Sequence, residues 1–274
     1  MMHQSTNMRA SLSFLTSILL VLLTLSCSPC LAEETRAKSA SAFSSYADYE
    51  INDPYESWNR NIFAFNDYLD RNLFEPVARG YDFILPDVVQ ARVGNFFENL
   101  NYPRYLLSDI VSLEFDQALE HSVRFLINST VGLAGLFDVA EGVGLPEHRE
   151  DFSLALAKHG VPNGSYLVIP ILGPSTTRDF FGDLVDRAVH PFSIMNYYTD
   201  IESSITDRVT YIGTSLEFVD KRAQLLDAIE AAKDASLDYY LFTQSAYYQQ
   251  RRGVLYDGQP PAREGEEEWW DAED

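Results

Sequence analysis

The chain has 274 residues, 46% hydrophobic and 22% charged, a balance that supports a packed domain and argues against a disordered chain. Its formal net charge of −21 excludes a nucleic-acid partner, because phosphate binding needs clustered Lys and Arg. Aromatic residues make up 13%, with 16 Tyr among them, a residue type suited to places where one end is apolar and the other wet.

Residues 1–32 have the pattern of an export signal. Arg9 is the only Lys, Arg, Asp or Glu before Glu33, and an apolar stretch from Leu12 to Leu25 follows it. That length suits a signal h-region and is too short to span a bilayer. In "CLAEE", Cys30 and Ala32 take positions −3 and −1 of a cut before Glu33. The rival is lipid attachment at Cys27, where Thr24 rather than Leu stands at −3. Cleavage after Ala32 is the expectation. Both cysteines then leave with the signal, and the remaining chain has no thiol for a disulfide or a metal. The export route points to a Gram-negative envelope. Residues 33–52 are small and polar and read as a flexible tether.

Order begins at "NDPYESW". Asp53 is a candidate N-cap, with Pro54 at the first helical position and Glu56 three residues after the cap. Trp58, Ile62, Phe65, Leu69 and Leu73 recur every three or four residues and predict one helical face. Phe63 and Tyr68 lie off that stripe and widen the apolar surface. Pro76 and Pro86 interrupt the chain. Pro86 opens a helix through Leu100, with Val89, Val93, Phe96 and Leu100 inward, and Pro103 opens another. Phe115, Leu119, Ser122 and Leu126 outline a further helix.

The middle, 128–174, is less regular. "YLVIPIL", 166–172, has strand-like composition, but Pro170 argues against a central strand, so an extended segment is expected. Ser175 then caps a helix to about His190. A stripe from Ile201 through Ile205, Val209, Ile212, Leu216, Val219, Ala223 and Leu226 to Ile229 predicts one helix of about 30 residues, with Gly213 as a candidate kink. Ser236 opens a final helix with Tyr239, Phe242 and Ala246 on one side. Residues 253–274 read as an acidic, disordered tail, with Trp269 and Trp270 as candidate anchors. The whole is a single, mainly α domain over 53–252, with little or no sheet.

A search for catalytic chemistry finds no GxSxG elbow, HExxH, P-loop or GxGxxG pattern. His121, His148, His159 and His190 show no metal-ligand spacing. Arg178 in "TRDFFGD" is a candidate phosphate grip, set against an intrahelical pair of Asp179 or Asp183 with Arg187. The distinctive feature is "VGLAGLF", with Gly132 and Gly135 at i and i+3 beside Leu133, Leu136 and Phe137. As a helix it would either approach another backbone closely inside a soluble core or sit in lipid.

Several blocks in order carry a resemblance: "DPYESWNRNIFAFN", "FEPVARGY", "NFFENLNYP", "RFLINSTVGLAGLFDVA", "DFSLALAKHGVPNGSYLVIPILGPSTTRD" and "KRAQLLDAI". Together they resemble the MlaA (VacJ) family of outer-membrane phospholipid-transport lipoproteins, from about Asp53 to Arg252. The resemblance implies a ring-like, doughnut-shaped helical protein with an amphipathic channel, lying on the inner-leaflet, periplasmic side of the Gram-negative outer membrane. It implies phospholipid as cargo, a trimeric porin and a soluble periplasmic carrier (MlaC-like) as partners, and removal of phospholipid from the outer leaflet to keep lipid asymmetry. No enzymatic activity, cofactor or metal is implied. Residue by residue, it places Phe63, Phe65 and Asn66, and Gly132, Gly135, Leu136 and Phe137, at the lipid channel and its gating. Gly173, Pro174 and Arg178 form a structural signature. Two departures stand out: the weak lipidation motif at Cys27, and Ser153 where the family usually has Gly. The competing reading is a helical adaptor docked to a porin without a lipid route of its own.

Overall fold

The structure, a computed structural model, describes residues 51–198 and 203–260. The signal, Cys27, most of the tether and the two tail tryptophans lie outside the described residues. Eleven helices and one hairpin follow in order among the described residues: α1 (Glu56–Leu69), a π-helical turn (Asp70–Phe74), α2 (Glu75–Ile84), α3 (Asp87–Ser112), α4 (Phe115–Thr130), α5 (Val139–Gly142), α6 (Phe152–Lys158), β1 (Tyr166–Ile169), β2 (Gly173–Thr176), α7 (Thr177–Val189), α8 (Pro191–Tyr198), α9 (Ser203–Gln224), α10 (Leu226–Ala235) and α11 (Tyr239–Leu255). The chain is mainly α with a two-stranded antiparallel sheet.

The helices form where periodicity places them, with local exceptions. Asp53 does not cap α1, because its carboxylate is taken by Asn59, Tyr240 and Gln244. Pro103 does not open a helix but sits inside the 26-residue α3. The long stripe from Ile201 breaks at Leu225, not at Gly213. There α9 gives way to α10, while a Cβ at Gly213 would meet the Phe192 ring at 2.3 Å. Asp238, not Ser236, caps α11 by accepting from Tyr240 N and Leu241 N. Thr176, one residue after Ser175, caps α7 by accepting from Asp179 N. Helix α11 runs to Leu255, past the expected start of the tail.

The faces are the larger correction. Phe115 and Leu119, which outline α4 in the sequence, are each 65% exposed. Its buried side chains are Ala118, His121, Arg124 and Asn128, which recur every three or four residues and form a mostly polar stripe. On α1 and the π-helical turn after it, Trp58, Phe65 and Leu73 of the predicted helical face are exposed, and Asn59 is buried instead. On α3, Val89 is exposed while Gln90, Asn99, Asn101 and Asp109 are buried. On α11 the buried face is Tyr240, Gln244 and Tyr248, and Phe242 faces out. Among the described residues, buried polar side chains outnumber buried apolar ones. The apolar core is divided into small clusters, such as Tyr166, Val168, Tyr240 and Tyr248 around the hairpin and Ala78, Ala223 and Leu226 between α2, α9 and α10.

Helix α3 is the central strut and packs against α4, α6, α7, α8 and α9. Strand β1 lies along α1, and β2 lies against α7 and α11. The strands pair from Tyr166 with Thr176 to Ile169 with Gly173, so Pro170, Ile171 and Leu172 form the hairpin tip. Pro170 is thereby outside the ladder, where its missing N–H costs nothing.

Candidate functional site

A cavity of about 1000 Å³ opens between the first half of α3, the inner stripe of α4, the loop around α5, the α9–α10 junction and α11. Most of the residues that line it are polar by type, Gln90, Asn95, Glu98, Asn99, Arg124, Asn128, Glu147, Gln224 and Gln250 among them, while its surface is divided about evenly between polar and apolar atoms. Two residues of the polar stripe of α4, Arg124 and Asn128, form part of this wall, and the apolar stripe of the same helix is left on the outside.

Arg124 is the pillar of this wall and is only 1% exposed. Its Nε donates to Tyr102 Oη at 2.8 Å, its Nη1 to Leu145 O at 2.5 Å and its Nη2 to Asp138 Oδ2 at 2.7 Å. Burial works against the Asp138 charge, but the Glu141 N–H, Asn128 and Arg124 outweigh it and hold the carboxyl below its ordinary value. Across the cavity, burial raises the Asp220 carboxyl against hydrogen bonds from Tyr81 Oη and Gln224 Nε2.

The Gly-punctuated stretch is not the helix expected from its spacing. Helix α4 ends at Thr130, and residues 131–137 fold back as a hook. Leu133 (φ 54°), Ala134 (φ 61°) and Gly135 (φ 92°) are all left-handed. Ala134 N donates to Ser129 O, and Gly135 N to Asn128 O, which turns the chain back on its own helix end. The Asn128 side chain fastens the far end, donating to Asp138 Oδ1 at 2.9 Å and accepting from Ala140 N at 3.0 Å. A Cβ on Gly135 would lie 2.3 Å from Asn99 Cβ, and one on Gly132 would lie 2.2 Å from Phe137 O. Both glycines are required for contact, but contact within the hook and with α3 rather than along a helix face. Residues 131–137 of the hook, Gly132, Gly135, Leu136 and Phe137 among them, do not themselves line the cavity. Asn128, Asp138 and Glu141 face the cavity, whereas Val131, Leu133, Leu136 and Phe137 are exposed, with the Arg92 guanidinium 4.5 Å from the Phe137 ring centre.

The "FAFN" residues lie elsewhere and do not line the cavity. Phe63 packs with Tyr239 and Tyr240, with ring centres 5.3 and 5.5 Å away. Phe65 is exposed. Asn66 bridges the hairpin tip, donating to Ile169 O at 3.0 Å and accepting from Ile171 N at 2.8 Å. Asn59, seven residues earlier on the same helix, does the same one step down the strand, donating to Tyr166 O and accepting from Val168 N. Two amides two turns apart thus satisfy the free edge of β1 in place of a third strand. Sequence reasoning missed Asn59, and the signal was the Asn59–Asn66 spacing itself. It also missed Arg124 and Asn128, whose signal was polar residues at helical spacing on α4.

Gly173 is left-handed (φ 89°) at the end of the tip, and Pro174 follows it in β2. Arg178 is buried, donates to Asp179 Oδ1 and to Val161 O, and anchors the start of α7. It is not free to grip a phosphate from outside. Ser153 donates to Asp151 and accepts from Arg251 where a Cβ on Gly182 would lie 2.4 Å from Ser153 Cβ, so a close α6–α7 crossing uses its small side chain. His121 faces two acceptors, Asp109 Oδ2 at 2.5 Å and His148 O at 2.8 Å, which fixes it as a strut between α3, α4 and the loop before α6.

Beyond the cavity the surface is apolar. Phe83 is 91% exposed and forms an elbow between α2 and α3 with Ile84 and Val88. Leu113, Phe115, Leu119 and Leu126 form another exposed row on and before α4, and the hairpin tip adds Ile171 and Leu172. No described helix is long and apolar enough to cross a membrane.

The sequence profile of the MlaA lipoprotein family matches residues 51–253. The chain is 30% identical over 214 residues to the intermembrane phospholipid transport system lipoprotein MlaA of Escherichia coli, covering 76% of this chain and 80% of that one. The Haemophilus influenzae protein of the same description is 29% identical over 213 residues, with 76% and 81% covered. An uncharacterised protein of Rickettsia prowazekii is 38% identical over 204 residues, with 69% and 80% covered. Among solved structures, a chain from "Structural basis for maintenance of bacterial outer membrane lipid asymmetry" aligns with a TM-score of 0.61 at 27% identity, over 74% of this chain and 99% of that one. On this match, the chain belongs to the MlaA lipoprotein family.

Proposed function

We propose that this protein moves phospholipid at the outer membrane, taking it from the outer leaflet through the polar cavity and releasing it to a periplasmic carrier, and so maintains lipid asymmetry without covalent chemistry. The observation that carries the reading is the inverted arrangement: a polar cavity of about 1000 Å³ walled by helices whose opposite faces are apolar and exposed. An unpaired charged head in hydrocarbon costs many kcal/mol, and a wetted wall removes most of that barrier. The exposed apolar faces suit acyl chains, so the protein sits in the inner-leaflet side of the membrane as a collar around its cavity, with a trimeric porin beside it. The hook at 131–137, between the cavity-lining Asn128 and Asp138, is the first element that gates the route. The hairpin tip fastened by Asn66, with Phe63 behind it and Phe65 on the same helix, is the second element that gates the route.

Gly94 tests the reading. It lies on the cavity wall, and a Cβ there meets only the side-chain ends of Gln224 and Asp220, at 3.1 and 3.5 Å. Gly94→Phe is expected to fill the cavity and raise outer-leaflet phospholipid, read with a membrane-impermeant label on cells making only this variant. Normal outer-leaflet phospholipid with a well-folded, porin-bound variant favours the adaptor reading instead.

A further inference from the structure

We propose that Asp70 is a positioning residue for the cavity: acting from outside the wall through Arg222 and Lys233, it sets where the α9–α10 break stands and so the opening left for a lipid head. The inference rests on the transport reading above and adds the group that holds one side of the route in place. Helix α9 ends at Gln224 and α10 starts at Leu226, and Asp220, Lys221, Gln224 and Leu225 at this break line the cavity. A break interrupts the backbone hydrogen bonds that would keep two helices in one line, so their relative placement depends on side-chain ties. Arg222 lies among the lining residues in sequence but is not one of them. Its guanidinium reaches Asp70, with Nε donating to Oδ1 at 2.6 Å and Nη2 to Oδ2 at 2.9 Å. From the other side of the break, Lys233 of α10 donates to Asp70 Oδ2 at 3.2 Å. Asp70 is therefore the counter-ion that the two helices share.

A second observation points the same way. Asp70 opens the π-helical turn Asp70–Phe74, a rare conformation that stands frequently at functional sites. The turn and the helix after it face α9 at two further points. Phe74 packs edge-on against Phe218, with ring centres 4.8 Å apart, and Tyr81 Oη donates to Oδ1 of the lining residue Asp220 at 2.7 Å. Burial works against the Asp70 charge, but Arg222 and Lys233 outweigh it and hold the carboxyl below its ordinary value. Without that carboxylate, the largely buried Arg222 guanidinium keeps only Glu75, at 3.9 Å, as a charged partner. A buried cation stripped of its partner moves toward water, and the break moves with it.

The test uses the full-length protein, purified in gentle detergent for amide exchange and produced as the sole copy in cells for the lipid readout. Asp70→Asn is expected to speed exchange over 220–228 about tenfold, the scale of one charge-assisted hydrogen bond, with α4 and the hairpin unchanged. It is also expected to raise outer-leaflet phospholipid, read with a membrane-impermeant label. Where Asp70→Asn does not fold, Lys233→Gln carries the test: it leaves the Arg222 pair intact and is expected to speed exchange over 226–235 alone. Exchange that is unchanged, faster only over 67–75, or faster throughout the protein overturns the positioning role. Loosening at 220–228 with normal outer-leaflet phospholipid overturns the link to lipid passage, and the transport reading then stands or falls by Gly94→Phe. Failure of Gly94→Phe to raise outer-leaflet phospholipid, with 220–228 still loosened by Asp70→Asn, overturns the transport reading and with it the lipid half of this proposal.

Discussion

Asn66 closes the tip of the β1–β2 hairpin by accepting from the backbone N–H of Ile171 at 2.8 Å, while its own amide N–H reaches Ile169 O at 3.0 Å. Ile171 is left-handed (φ 70°), an uncommon conformation for a β-branched residue, and this clamp is what fixes it. Asn66→Leu removes both bonds at once. The expected cost is about 1–3 kcal/mol in thermal or denaturant unfolding, with faster amide exchange confined to 169–171. An unchanged melting point would show that the tip holds itself.

The hook offers two opposed substitutions. Gly135→Ala adds a Cβ 2.3 Å from Asn99 Cβ at a left-handed position, and is expected to cost about 2–4 kcal/mol from overpacking and strain together. Ala134→Gly relieves a left-handed Ala (φ 61°) and is expected to stabilise by up to about 1 kcal/mol after the entropy of glycine is counted. Paired melting curves check both signs. On the transport reading, a folded protein with bulky residues at Gly132 and Gly135 fails to keep phospholipid out of the outer leaflet.

Stability is expected to fall as pH rises from about 4 to 7. The Asp186 carboxyl is pushed up to about 7, first by burial and then by the Asp151 charge, against Arg104 and the Phe152 N–H. The folded protein keeps a proton in that window that the unfolded chain has released, so neutral pH favours unfolding and the loss levels off above 7. Burial also pushes Glu150 up to about 7, against its bond to Lys158. Asp151 acts in the opposite sense and lower down: burial opposes its charge, but Arg251, Ser153 and the Leu154 N–H hold it well below the ordinary range. Asp186→Asn is expected to flatten the slope and to gain about 1 kcal/mol or more at pH 8 relative to pH 4. Unfolding at pH 4.5, 6 and 8 checks it, and a parallel wild-type and variant profile contradicts it.

The elbow at Phe83 and Ile84 is expected to contribute to membrane affinity and not to the fold. Phe83 is 91% exposed, so Phe83→Ser with Ile84→Ser is expected to leave the melting point within about 1 °C of wild type. Each side chain buried in lipid is worth about 1.5–3 kcal/mol, so flotation with phospholipid vesicles is expected to weaken at least tenfold. Unchanged flotation would place the lipid contact elsewhere on the apolar exterior.

The existence and approximate extent of most helices were legible in the sequence, because a stripe of apolar residues at spacings of three and four appears whichever way it faces. The family was legible too, from ordered blocks that no single helix explains. Facing was not. The stripe of Phe115, Leu119 and Leu126 marks α4 correctly but does not say which way it faces, and the structure puts His121, Arg124 and Asn128 inside. The hook was misread for a related reason. Gly132 and Gly135 have helical spacing, and only the hydrogen bonds back to Asn128 and Ser129 turn the chain left-handed. Sequence alone therefore set the helices and the kinship. The tertiary structure decided the cavity, the clamp on the hairpin and the direction of every face, because each depends on polar groups far apart in the chain, such as Asn59 and Tyr166, that meet only when it folds.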